Sequence, residues 1–228
     1  VNQIVDNAIV LGRTNYGEAD RILTVLTPQH GKVRLMAKGV RRVKSKLAGG
    51  IELFSVSTIT FVRGRGEIGT LVSTRLVVHY GEIVKDLGRT QAAYDFIKQL
   101  NKMTEDEAED AYFYLLEHIF DALNTPAINV ILIRCWFAAH ILRLGGHTPN
   151  LQRDTNSNVL DASQEYNFDF AQMCFAKSSH GRFSAEHIKL LRLLFGDATP
   201  TALQRIAGVN ELAEMLAPLL QTMRESSL

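Results

Sequence analysis

Five stretches in the first 80 residues are dense in β-branched and aliphatic side chains: 4–12 (IVDNAIVLG), 21–27 (RILTVLT), 32–38 (KVRLMAK), 51–62 (IELFSVSTITFV) and 68–79 (IGTLVSTRLVVH). Turn-forming residues stand between them, at Asn15-Tyr16-Gly17, Pro28-Gln29-His30-Gly31, Gly49-Gly50 and Gly64-Arg65-Gly66, so each run reads as a strand. Five short strands are too few for a sandwich of ordinary size. Closure into a small barrel of the OB type removes the exposed edges and is the economical arrangement.

Beyond Tyr80 the pattern turns helical. Thr104-Glu-Asp-Glu107 reads as a capping box that opens a helix through about Leu123, with the Thr hydroxyl and Glu carboxylate accepting from the free N–H groups. Thr125-Pro126 places Pro at the first helical position of a helix running to about Leu144, where Gly145-Gly146 stops it. Ser184 caps a helix that ends at Gly196; Thr199-Pro200 and Asn210 start two more, the last interrupted by Pro218. Residues 147–183 follow neither period and are read as an irregular insert, with short strands near Tyr166 to Phe175. The expected fold class is therefore α+β with two domains: a five-stranded OB-fold β-barrel over 1–80 and an all-α helical domain over 81–228.

Composition adds little to this picture except through charge. The 228 residues are 46% hydrophobic, enough for a substantial core. No uncharged apolar run approaches the roughly 18 residues of a membrane span, because the richest stretch carries Arg134, His140 and Arg143. The opening VNQIVDNAIV has none of the parts of a signal peptide, and Cys135 and Cys174 form no CxxC pair. These features give the expectation of a cytoplasmic protein of a reducing compartment, with no membrane partner; association with the nucleoid is expected only through DNA binding. The net charge of +1 conceals an asymmetry: residues 1–80 carry 12 Lys and Arg against 5 Asp and Glu, residues 81–228 carry 13 against 19. One half is built to meet a polyanion.

The positive charge is concentrated in KVRLMAKGVRRVKSK, 32–46. Strand alternation puts Lys32, Arg34 and Lys38 on one face and Val33, Leu35 and Ala37 on the other, and the following loop adds Arg41, Arg42, Lys44 and Lys46. No Asp or Glu occurs between Asp20 and Glu52, so these seven cations have no neighbour in sequence to neutralise them. A surface of this kind grips phosphates by counterion release; about six contacts give a log–log salt slope of about −4 on single strands and about −5 on duplex. Arg13, Arg63 and Arg65 are further cations of the same domain. Stacking residues are scarce: Tyr16, Phe54, Phe61 and Tyr80 are the aromatic residues of 1–80, and at most one or two are expected to serve as platforms.

Signatures of catalysis are weak. Gly64-Arg65-Gly66-Glu67-Ile68-Gly69 matches GxGxxG literally, but both flanks read as strand, whereas a dinucleotide site needs a strand before and a helix after. No Walker lysine motif, GxSxG or HExxH is present. The acids of TEDEAED, 104–110, are explained by a helix start, and Cys135 lies in an apolar segment where a thiol is inert. The expectation is a non-enzymatic binding protein without cofactor. A nucleic-acid-processing enzyme and an RNA-binding OB module remain as alternatives that use the same basic surface.

The elements AIVL at 8–11, YGEADRI at 16–22, LTPQHGK at 26–32, AKGVRR at 37–42 and SKLAGGIELF at 45–54 together resemble the amino-terminal domain of the bacterial recombination mediator family RecO. The RLGGHTPNL turn at 143–151 is similar to a turn of that family's helical domain. The resemblance implies binding of single- and double-stranded DNA, annealing of complementary strands and help in loading a recombinase on protein-coated single strands. It implies two protein partners, RecR and the acidic carboxy-terminal tail of the single-stranded-DNA-binding protein. By direct match it points to Lys38, Arg41, Arg42, Lys44 and Lys46 as DNA contacts. Asp20 and Arg21 fall in the matching run as well, either as contacts or as a structural pair. An acidic tail ending in an apolar residue needs an apolar groove rimmed by cations, for which Arg134, Arg143, Lys189 and Arg192 are the candidates. Many family members carry four zinc-spaced cysteines where this chain has 147–183. Here Cys174 stands alone among His147, His180 and His187 without paired spacing, so no metal is expected, and the insert is held instead by Tyr166, Phe168, Phe170 and Phe175.

Overall fold

A computed structural model describes residues 3–64, 66–104 and 109–227. Its packing divides the chain into two compact units, 1–125 and 126–228.

The first unit contains a closed barrel of five strands, β1 (Gln3–Tyr16), β2 (Asp20–Thr27), β3 (Gly31–Ala37), β4 (Ser55–Val62) and β5 (Ile68–His79), in the order β1-β2-β3-β5-β4. This is the OB-type barrel that the strand pattern predicts. The long β1 makes closure possible: residues 3–9 pair antiparallel with β4 and residues 9–16 with β2, with a register shift between Val10 and Gly12 that turns the strand from one partner to the other. The ring closes through a short parallel pairing of β3 with β5, Arg34 to Met36 against Ile68 to Thr70. Alternating residues fill the interior, among them Val10, Leu23, Val25, Leu35, Ile59 and Phe61. Gly69 is required where β5 crosses β3, because a Cβ there would lie 2.8 Å from the Val62 carbonyl oxygen and 3.0 Å from a Leu35 methyl. The GxGxxG match is thus flanked by strands β4 and β5 and not by a strand and a helix, as the sequence predicts.

The fourth strand begins at Ser55 rather than at Ile51. A 3₁₀ turn at Ala48–Gly50 and a positive φ of 56° at Phe54 occupy the residues before it. The Phe54 ring that this places is buried edge-on against Tyr94 and Phe120, 5.2 and 5.8 Å between centroids. Those two residues belong to α1 (Leu87–Met103) and α2 (Asp110–Leu123), which complete the first unit. Helix α1 has no obvious start signal beyond Asp86, whose carboxylate accepts from the Arg89 N–H at 2.8 Å. Arg89 itself is buried and donates to the Leu123 and Thr125 carbonyls at 2.9 and 3.1 Å, tying α1 to the end of α2. Thr104, read as the cap of the following helix, instead ends α1: its N–H and hydroxyl both donate to the Leu100 carbonyl, at 2.9 and 2.7 Å. The acids at 105–107 that complete the predicted capping box lie outside the described residues.

The second unit contains α3 (Val130–Leu144), a three-stranded sheet, α4 (Ala185–Leu194), the short α5 (Pro200–Leu203) and α6 (Val209–Ser227). Asn129, not Thr125, caps α3 by accepting from the Ile131 N–H at 2.7 Å. Gly146, at φ 78°, follows its end as predicted. Ser184 caps α4 with the imidazole of His187 reaching back, Nδ1 accepting from the Ser184 N–H at 3.1 Å. Pro218 does not interrupt the last helix, which runs through it; Pro218 is exposed, and its own carbonyl accepts from the Thr222 hydroxyl at 3.0 Å.

The insert is more ordered than its polar composition suggests. Strands β6 (Asn150–Asp154), β7 (Glu165–Asp169) and β8 (Cys174–Ser178) form a sheet in the order β6-β8-β7. Phe175 on the central strand is surrounded by Phe168, Phe183 and Tyr166, with centroids 5.2, 5.8 and 6.2 Å away, and Phe168 also meets Phe170 at 5.2 Å. The buried Asp154 organises the following turn by accepting from the Asn156 and Asn158 N–H groups, both at 2.9 Å. Burial opposes its charge, but these hydrogen bonds and Lys177 outweigh that and hold the carboxyl below its usual value. Cys174 is buried in β8, and among the described residues no group of three His, Cys, Asp or Glu side chains is placed to hold a metal.

Candidate nucleic-acid interface

The predicted cations of the barrel separate along β3. The alternation expected for this strand is present: Val33, Leu35 and Ala37 point into the barrel, while Lys32, Arg34 and Met36 lie outside or half-buried. Lys32 and Arg34 sit near the end of β3 that faces the β4–β5 hairpin, and Lys38 follows the other end. Six residues at about 3.3 Å each separate Lys32 from Lys38 by roughly 20 Å.

At the hairpin end a cleft of about 900 Å³ is lined by Lys32, Arg34, Arg63, Glu67 and Asn101 among others. Its cations are engaged unequally. The Lys32 ammonium donates to the carbonyls of Asn101 (3.1 Å) and Thr104 at the end of α1, where the helix presents unpaired carbonyls and partial negative charge. Arg34 is half-exposed and lies 4.0 Å from the Glu67 carboxylate. Arg63 is exposed and makes no ion pair among the described residues; Arg65 lies outside them. The turn before β3 is fixed by buried Asp6, which accepts from the Gln29 N–H at 3.2 Å and contacts His30 Nδ1 at 2.8 Å.

The opposite end carries the basic loop, and this loop is built rather than loose. Gly39, at φ 65°, donates its N–H to the Asp20 carboxylate at 2.7 Å. The Arg41 N–H donates to the Ala19 carbonyl at 2.9 Å and its guanidinium to the Gly17 carbonyl at 3.3 Å. Val40 and Ile51 are inserted in the barrel core, with Leu47 packed against it. On the return side the Thr74 hydroxyl donates to the Leu47 carbonyl at 3.3 Å, and Gly50 passes so close to Thr74 that a Cβ would lie 2.4 Å from it. The loop is thus anchored at both ends. Between the anchors Lys38, Arg42, Lys44 and Lys46 are exposed, and none forms an ion pair among the described residues.

The neighbours clarify three further positions. Asp20 and Arg21 do not pair with each other: Asp20 holds Gly39, and the Arg21 guanidinium donates to the Asn15 side chain at 3.1 Å. Arg13 is 3.3 Å from Glu52. Of the barrel's aromatic residues Phe54, Phe61 and Tyr80 are buried and Tyr16 is exposed. Burial, followed by the charges of Asp121 and Glu117, pushes the Tyr80 hydroxyl up.

The profile described as "Recombination protein O N terminal" matches residues 1–80, and that described as "Recombination protein O C terminal" matches residues 86–227. The chain belongs to the RecO family. It is 30% identical over 193 residues to the DNA repair protein RecO of Halalkalibacterium halodurans, covering 82% of this chain and 75% of the relative. It is 33% identical over 151 residues to that of Dehalococcoides mccartyi and 36% identical over 149 residues to that of Bifidobacterium longum subsp. infantis. These two matches span 58% and 62% of the relatives' length. The RecO amino-terminal profile covers the whole barrel, including the anchored loop.

The four cations proposed from sequence in the second unit are used unequally. Arg143 donates to the Phe195 and Gly196 carbonyls, both at 3.2 Å, and to Asp197 at 3.1 Å. Arg192 forks onto the Leu151 carbonyl at 2.9 and 2.7 Å, joining α4 to β6. Both guanidinium groups therefore hold the fold together. Lys189 is exposed on α4, and Arg134 is half-buried on α3. Burial pushes the Cys135 thiol up to about 12, which removes its thiolate at neutral pH. The residues that the sequence pattern missed are Asp20, Val40 and Lys32 in their structural roles, since each acts through a partner distant in sequence.

Proposed function

We propose that this RecO-family chain is a DNA-binding mediator of recombinational repair. It binds single- and double-stranded DNA through the anchored loop at residues 38–46, anneals complementary strands and assists recombinase loading on protein-coated single strands. The observation that carries this reading is the loop itself: Lys38, Arg42, Lys44 and Lys46 are held outward on a fixed support, with Arg41 at its base. Two DNA strands repel each other through their phosphates. A rigid row of cations that neutralises phosphates on both strands lowers that barrier without chemistry. RecR and the acidic tail of the single-stranded-DNA-binding protein are the proposed protein partners. Exposed Lys189 is the proposed contact for the tail.

The test is annealing of labelled complementary strands with magnesium and no nucleotide. Faster duplex formation with intact strands is expected. Metal-dependent fragments would instead support a nuclease, and a marked preference for RNA over DNA of equal length would support an RNA-binding module.

A further inference from the structure

The exposed aromatic ring of the barrel and the basic loop meet at one turn. Tyr16 closes β1 at 56% exposure, whereas Phe54, Phe61 and Tyr80 are at most 3% exposed. No other ring contacts Tyr16 among the described residues. The turn that follows it runs through Gly17, at φ 56°, to Asp20, and the basic loop is fastened to that same turn through Arg41 to Ala19 and Gly17 and through Gly39 to Asp20. Further along the loop, the Ser45 N–H donates to the Arg42 carbonyl at 3.0 Å, closing a turn with Val43 and Lys44 at its centre. Val43 is 105% exposed, more than any other large apolar residue described.

A single exposed valine on a protein surface requires no explanation. Val43 differs because the other apolar residues of its loop, Val40, Leu47 and Ile51, are drawn into the core, while it stands outward between Arg42 and Lys44. Its branched side chain is also stiff about χ1. From Tyr16 to Val43 the connecting residues and the Arg41–Ala19 hydrogen bond span at most about 25 Å. Roughly seven stacked nucleotides at 3.4 Å cover that distance. Cations alone hold a sugar-phosphate chain whether or not it carries exposed bases; an aromatic face and an aliphatic tip need the bases.

We propose that Tyr16 and Val43 form a base-contacting pair at the loop end of the barrel, Tyr16 stacking on an unpaired base and Val43 packing against another base of the same strand. This rests on the DNA-binding reading above and adds a preference for unpaired strands to it. In duplex DNA both faces of each base are already stacked, so the pair contributes there only through its cationic neighbours.

The experiment compares binding of the full chain to three ligands of equal length: oligothymidine, an abasic strand and a duplex. Tyr16→Ala is expected to weaken oligothymidine binding roughly tenfold or more, with the abasic-strand and duplex affinities and the salt slope unchanged. Tyr16→Phe restores it, and Val43→Ser gives a smaller loss, about two- to threefold, with the same ligand selectivity. The proposal is overturned if Tyr16→Ala binds oligothymidine as the parent does. It is also overturned if the variant loses abasic and base-bearing strands equally. If the parent chain binds none of the three ligands, the DNA-binding reading fails first, an outcome distinct from either of these.

Discussion

The two ends of β3 carry similar numbers of cations and treat them differently. At the hairpin end Lys32 is bonded to helix carbonyls and Arg34 lies beside Glu67. At the loop end Lys38, Arg42, Lys44 and Lys46 face solvent on a support made by Asp20, Ala19, Leu47 and Thr74. Counting Lys and Arg therefore says little about where a polyanion binds. The hairpin end keeps Arg63 exposed as well, so what separates the two ends is the withdrawal of Lys32 onto the protein's own carbonyls at one and a backbone fixed beneath a row of exposed cations at the other.

Substitutions can break this contrast, and the largest effect is expected at the loop. Arg41→Glu with Arg42→Glu should weaken DNA binding roughly a hundredfold at moderate salt and make the single-strand salt slope shallower by about 1.4, the contribution of two phosphate contacts. Titrations across salt concentration measure both, with circular dichroism as the check on folding. Asp20→Ala comes next and separates charge from support. Removing a carboxylate near the loop should strengthen phosphate binding if charge alone mattered. Because that carboxylate holds the Gly39 N–H, the expected result is weaker binding, about three- to tenfold, with about 1–2 kcal/mol lost in stability. Denaturant unfolding and DNA titration of the same variant decide between these.

Lys32→Ala should show the reverse balance. Loss of the contacts to the Asn101 and Thr104 carbonyls costs about 1 kcal/mol in denaturant unfolding, while DNA affinity changes by less than about threefold. The smallest effect is expected at Glu117 on α2, where burial, then the charge of Asp121, raises the carboxyl above its usual value against the opposing influence of His118. The folded state then holds the proton to a higher pH than the unfolded state does. Stability from this group is present at low pH and lost as pH rises through the folded value. Glu117→Gln should raise the melting temperature slightly at pH 7 and progressively less toward pH 4.5.

The barrel was legible because its strands alternate or run apolar in short segments separated by Gly, Pro and Asn, and the parity of β3 correctly assigned Val33, Leu35 and Ala37 to the interior. The basic loop was legible as charge, but not as structure, since its supports at Asp20 and Thr74 lie 19 and 24 or more residues from the groups they hold. Helix α1 escaped the pattern because its ends depend on Asp86 and on a buried Arg89 that binds carbonyls of another helix. The insert read as irregular because polar turns dominate its composition, while its sheet depends on a few aromatic residues meeting Phe175. Arg143 and Arg192 looked free on helices, yet carbonyls from distant segments bind both.

The fastening of Gly39 and Arg41 to the β1–β2 turn has a thermodynamic consequence. A basic segment that is unstructured in isolation must lose its chain entropy when it meets DNA, and that loss subtracts from every phosphate contact it makes. Here the ordering takes place when the barrel folds. Association should accordingly show a small heat-capacity change and an encounter rate set by long-range attraction, with no slow rearrangement following contact.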